Sequence, residues 1–279
     1  MLALLFTAAI CASFAAEPTA EDLLRQAQEA RRRGRITEAI SLAGQAINAN
    51  PRSAIGYFAR GQIYADTQDP TKAVADFSEA IQRDPTFAQF YHHRACEYFK
   101  LVHLQESLTD FDKAVQLAPQ TEPHNWQRGI AQYYAGKYDE GRKQFELHQT
   151  VNANDVENAV WHYLCVARLK GIEQARKSLI EIKGDARVPM AQIHALFAGR
   201  GKSEDVLTAA QAGNPSAARL KDQLFYAHLY LGLYYEAARD DAKTREHIFK
   251  AAGEFAAPHY MGDVARVHAR LLRQRAAAP

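Results

Sequence analysis

The stretch AIGYFARGQIYADTQDPTKAVADFSEAIQRDP, residues 54–85, decides the fold. Small residues at Gly61, Ala73 and Ala80 are set among large ones at Tyr57, Tyr64 and Phe77, and Pro85 closes the segment. The small positions let two antiparallel helices approach closely while the large ones fill the groove beside them. Proline cannot continue a helix and pushes the residue before it out of the helical region, so the stop is built in.

Sliding the chain against itself by 34 residues repeats the pattern, bringing Pro51, Pro85 and Pro119 into line. Counting back from each gives Ala46, Ala80 and Ala114, then Ala43, Phe77 and Phe111, then Ala39, Ala73 and Ser107. Further back stand Ala30, Tyr64 and Tyr98, then Ala27, Gly61 and Ala95, then Leu23, Tyr57 and Tyr91. Gly34 and Gly136 mark the turn inside a unit. A fourth unit begins near Pro123 with Trp126, Gly129, Tyr133, Tyr134 and Phe145, and lacks the closing proline. One such unit cannot bury its apolar stripe alone, so it must stack on its neighbours. The expectation is an all-α solenoid of antiparallel helix pairs, regular over 21–153 (about 21–53, 54–87, 88–121 and 122–153) and divergent over 155–279. In the divergent half, glycines and prolines punctuate helical pieces at roughly 156–169, 172–183, 190–198 and 203–212. A last unit follows at Gly232, Tyr235 and Ala251, then a terminal helix from about Pro258 to Arg273.

The residues at 57, 61, 64, 73, 77, 80 and 85 resemble the tetratricopeptide repeat family at its signature positions. That resemblance implies a scaffold for protein partners, entered from the concave face lined by the first helix of each pair. A second resemblance runs through RGIAQYYAGK at 128–137, Phe145, Trp161-His162-Tyr163-Leu164 and YLGLYY at 230–235. In order and separation these are similar to the bacterial lipoprotein NlpI family, over most of residues 55–273. It implies a homodimeric envelope adaptor that presents peptidoglycan hydrolases to a periplasmic protease.

The 279 residues carry 34 Lys and Arg against 32 Asp and Glu, a formal charge of +2 that provides no field for nucleic acid or an anionic membrane. The run Arg31-Arg32-Arg33-Gly34-Arg35 sits at a predicted helix end, where cations suit the helix dipole. Residues 1–16 are uncharged and mostly apolar, which reads as a signal peptide cleaved after Ala15 rather than a membrane span. Ile10 stands where acylation of Cys11 would need a small residue, so export to the periplasm or medium is expected rather than lipid anchoring. Cys96 and Cys165 then remain, too few for a disulfide framework, and read as buried thiols.

No His-Glu-x-x-His, cysteine pair, phosphate loop or Gly-x-Ser-x-Gly elbow is present, so no enzyme activity, cofactor or metal is expected. The repeat register places Phe58, Gln62, His92, Phe99, Trp126, Ile130 and Tyr133 on the concave face as candidate protein-binding residues. Relatives that grip a chaperone's C-terminal carboxylate use lysine and asparagine where this chain has Leu24, Phe58, His92 and Trp126, and Gln28, Gln62, Cys96 and Ile130. The face therefore suits an apolar or aromatic peptide. Three other outcomes stay open: C-terminal units folded back into the groove, a self-assembling structural protein, and a metal, small-molecule or catalytic role inside residues 155–279.

Overall fold

The first helix shows how local sequence sets the boundaries. In the computed structural model, which describes residues 18–277, α1 spans Ala20–Arg32. Thr19 and Asp22 cap each other's backbone N–H groups, and Arg31 and Arg32 occupy the last turn. The leader and Cys11 lie outside the described residues. Asp69 repeats the device for α4, its carboxylate accepting from the Lys72 N–H, with Pro70 in the first turn.

Four pairs follow the 34-residue period: α1 with α2 (Ile36–Ala49), α3 (Ala54–Asp66) with α4 (Pro70–Arg83), α5 (Ala88–Lys100) with α6 (Leu104–Leu117), and α7 (Trp126–Tyr134) with α8 (Tyr138–Gln149). Each pair turns through one residue at positive φ, namely Gly34 (71°), Gln68 (60°), Val102 (66°) and Gly136 (76°). The next N–H reaches back five residues to a carbonyl, as Asp69 does to Tyr64 and His103 to Tyr98, which closes the helix end. Where the turn residue is not glycine, this hydrogen-bonded closure imposes the left-handed conformation against side-chain sterics.

Close helix contact is made at the expected small positions. A Cβ at Gly61 would lie 2.7 Å from the Phe77 ring, and one at Gly129 would lie 2.8 Å from Phe145. Phe77, Phe111 and Phe145 are accordingly sealed in the core. Behind each such contact sits an ion pair: Arg60 forks onto Asp76 with both bonds at 2.8 Å, and Arg94 onto Asp110 at 2.7 and 2.9 Å. In the fourth unit Gln144 takes the acid's place and accepts from Arg128 at 2.9 Å.

The divergent half continues with α9 (Val156–Lys170), α10 (Ile172–Lys177), α11 (Met190–Phe197), α12 (Ser203–Gln211), α13 (Ala217–Ala237), α14 (Asp241–Ala252) and α15 (Tyr260–Ala277). α10 is shorter than the reading of 172–183. The Ser178 hydroxyl bonds back to the Gln174 carbonyl, and the segment to Pro189 is held instead by Asp185 with Arg187 and by His194 on the Ile180 carbonyl. The α13 and α14 pair keeps the repeat's geometry: a Cβ at Gly232 would lie 2.6 Å from Ile248, and Arg239 (φ 62°) makes the turn. α15 packs on α14 and crosses to α5, so the chain's end returns to its middle. Among the described residues no helix is long and apolar enough to cross a membrane.

Candidate functional site: an inner face open at one end and closed at the other

The first helices of the pairs lie side by side, α1 on α3 and α3 on α5, and form the inner layer. Helical spacing puts Ile55, Phe58 and Gln62 on one face of α3. Ile55 is 48% exposed, and Gln62 accepts from Arg31 of α1, which also pairs with Asp66. Phe58 is half-buried, its ring 4.9 Å from Phe90, 5.1 Å from His93 and 5.7 Å from Phe77. It is both core and surface. His92 is half-buried beside Cys96. Burial pushes His92 below its ordinary value and His93 down to about 4, so both rings are neutral near pH 7. Burial raises the Cys96 thiol, which makes it a poor nucleophile.

Beyond α5 the same face is covered by the chain itself. Tyr260 at the start of α15 stacks on Phe99 at 5.6 Å and meets Trp126 edge-on at 5.2 Å. The Tyr134 hydroxyl and His268 Nδ1 share a hydrogen bond of 2.9 Å. Tyr133 donates to Glu236, which Arg168 and Arg275 approach at 3.0 and 3.3 Å. Burial raises the Glu236 carboxyl, and His268, Arg168 and Arg275 offset this to hold it below the usual carboxylate range. Phe99, Ile130 and Tyr133 are therefore only 0%, 0% and 5% exposed. They offer no surface to a partner while α15 is seated. Trp126 is half-buried and lines a cavity beneath α15. Of the seven concave-face candidates, Phe58, Gln62 and His92 remain reachable on the open stretch.

The closing residues Tyr260, His268 and Glu236 escaped sequence reasoning because none of them sits in the 34-residue register. The Arg60 and Asp76 pairing had a signal, a spacing of 16 that recurs one period later as Arg94 and Asp110.

Comparison with known proteins agrees with this geometry. Models of the tetratricopeptide repeat match residues 24–86 and 88–121. Hsp70-Hsp90 organizing protein 3 of Arabidopsis thaliana is 31% identical over 99 residues, which is 36% of this chain and 17% of that protein. Protein SGT1 homolog of Bos taurus is 26% identical over 98 residues, 35% of this chain and 29% of that protein. The chain thus spans less than a third of the length of these curated relatives. Among solved structures, a tetratricopeptide repeat protein from Parabacteroides merdae aligns with a TM-score of 0.54 at 16% identity, covering 91% of this chain and 84% of that one. Pseudomonas aeruginosa PilF aligns at 0.50 and 12% identity, covering 92% and 97%. These likenesses are of fold. Residues 24–86 and 88–121 thus match tetratricopeptide repeats and lie within an all-α solenoid, the fold of repeat proteins that serve as scaffolds for protein partners.

Proposed function

We propose that this chain is a non-enzymatic, exported adaptor that grips a partner protein on the inner face of its first three repeats. The observation that carries the reading is the open stretch of α1, α3 and α5, where Ile55 and the edge of Phe58 meet solvent on the face of α3 that also carries Gln62. An apolar anchor beside a hydrogen-bonding group is what a peptide or helix buries at a hot spot. Envelope location rests on the uncharged apolar leader, and a periplasmic protease or peptidoglycan hydrolase as partner rests on the resemblance to the NlpI family. The chaperone relationship in the name Hsp70-Hsp90 organizing protein 3 finds no lysine and asparagine clamp at Leu24, Phe58, Gln28 or Gln62 here.

The test is affinity capture from cell envelopes with full-length wild type, Ile55→Glu and Gln62→Ala. The expected result is a stoichiometric protease or hydrolase held by wild type and lost with Ile55→Glu, while the circular dichroism of all three agrees. Retention of every partner by both variants refutes the open-face reading, and recovery of cytoplasmic chaperones alone refutes the envelope one. Light scattering separates an adaptor of fixed stoichiometry, including a homodimer, from a self-assembling structural protein whose mass grows with concentration.

A further inference from the structure

Where α15 closes over α7, α8 and α9 it leaves a cavity of about 370 Å³. That is within the roughly 300–1,000 Å³ typical of small-molecule sites. Its walls are aromatic, with Trp126, Phe145, Trp161, Tyr226 and Tyr260. Two lining side chains that are more than nine-tenths buried hold a polar atom sealed from solvent and without a hydrogen-bond partner: Asn158 Oδ1 and Trp161 Nε1. A buried polar group left unpaired costs about 1–3 kcal/mol, so two in one aromatic cavity point to a guest.

The charge around the cavity gives the guest its sign. Arg187 is the single cation among three carboxylates, at 2.7 Å from Asp155, 2.5 Å from Glu157 and 2.6 Å from Asp185. Three negative groups against one positive leave an excess of two when all are ionised. Burial pushes the Glu157 carboxyl up to about 7, against the Tyr230 hydroxyl donating to it at 2.6 Å and against Arg187. A further cation in the cavity would favour its ionised form. Aromatic faces attract a desolvated cation by about 2 kcal/mol. Asn158 Oδ1 can accept from such a head, whereas the Trp161 N–H can only donate.

We infer that this cavity binds an organic cation, an ammonium or guanidinium head on a short stem that also carries an acceptor oxygen for Trp161. The head is either a free amine or the basic side chain of a polypeptide. This inference is independent of the adaptor reading, since the open face of α1, α3 and α5 lies elsewhere.

The chain has two tryptophans, and both line the cavity, so tryptophan emission reports this site alone. Full-length protein is titrated at constant ionic strength with argininamide, with the capped tripeptide acetyl-Gly-Arg-Gly-amide, with neutral glycinamide derivatives of the same size, and with butyrate. Saturable emission changes with either cation, and none with the neutral or anionic probes, are expected. Tighter binding of the tripeptide assigns the head to a polypeptide side chain, and tighter binding of argininamide assigns it to a free amine. Glu157→Gln keeps the shape, removes the charge and should weaken binding by roughly tenfold or more. Should that variant misfold, Tyr226→Leu removes one aromatic wall and should weaken binding several-fold. Cation titrations that leave emission unchanged, or equal responses to neutral and cationic probes, overturn the proposal.

Discussion

Replacing Gly232 with alanine tests whether the divergent half is built on the same helix contact as the repeats. The added Cβ would lie 2.6 Å from Ile248 Cγ1, 2.7 Å from Cδ1 and 3.2 Å from the Ile248 backbone nitrogen. Cδ1 can swing aside, but the nitrogen belongs to α14 and can move only with that helix. Overpacking of this kind costs about 1–3 kcal/mol. The gain from removing a mid-helix glycine is about 0.5–1 kcal/mol, so Gly232→Ala should destabilise by about 1–2 kcal/mol. Gly44 in α2 provides the contrast, because its Cβ would meet only an Arg60 nitrogen at 4.0 Å. Gly44→Ala should therefore stabilise by about 0.5–1 kcal/mol. Urea unfolding followed by far-ultraviolet circular dichroism reads both signs. In the Gly232→Ala background, Ile248→Ala should cost less than in wild type, with a coupling of about 1 kcal/mol. Equal stabilisation by the two glycine replacements, or no coupling to Ile248, would refute the contact.

Gln68→Gly should stabilise by about 1 kcal/mol, because an exposed side chain there holds φ 60° and gives up no buried contact; a lower urea midpoint would count against strain at that turn. Arg60→Ala leaves the Asp76 carboxylate, 5% exposed, without its cation and should cost about 3 kcal/mol, while Arg60→Ala with Asp76→Ala together should cost less than Arg60→Ala alone. Burial and then the neighbouring His247 push His228 down to about 4 from its ordinary 6.5, with Lys250, Glu246, Tyr235 and Phe255 around the pair. The unfolded chain therefore binds more protons between these values. Stability should be full above about pH 6.5 and fall by up to about 3 kcal/mol toward pH 4. His228→Phe should flatten that fall, and an unchanged slope would show that the pair contributes nothing.

The regular pairs α1 to α8 were legible because each depends on contacts within one 34-residue period, so the same size at the same position recurs: Gly61 against Phe77, Gly129 against Phe145. The turns were half legible. Gly34 and Gly136 announce a positive φ, but Gln68, Val102 and Arg239 adopt it only because the helix-end hydrogen bonds impose it. α10 stops short of residue 183 because the following segment bonds to Asn154, Val156 and His194 instead of continuing the helix. Whether an inner-face residue is open or covered was not legible. Phe58 and Phe99 have the same character and lie on the same face of their first helices, seven places apart in the register, yet one keeps a solvent edge and the other lies under Tyr260. That difference is set by a helix far along the chain, for which periodicity carries no signal.

The return of α15 changes how the molecule comes apart. In an open array each repeat touches only its neighbours, so stability is a sum of local terms and either end can fray by itself. Here hydrogen bonds join residues 134 and 170 positions apart, Tyr134 to His268 and Arg270 to Lys100. The buried apolar residues divide in the same place, with one cluster from Ala27 to Ile63 and another running from Ala95 to Leu272. α5 and α14 are thereby tied to each other through α15, so the stretch from α5 onward has no end that can fray without releasing that helix. α1 to α4 stand outside that fastening and keep the ladder-like behaviour of a free end. Amide hydrogens there should exchange repeat by repeat, while those of α5 to α15 exchange together, and the partner-binding end is the one left free to yield.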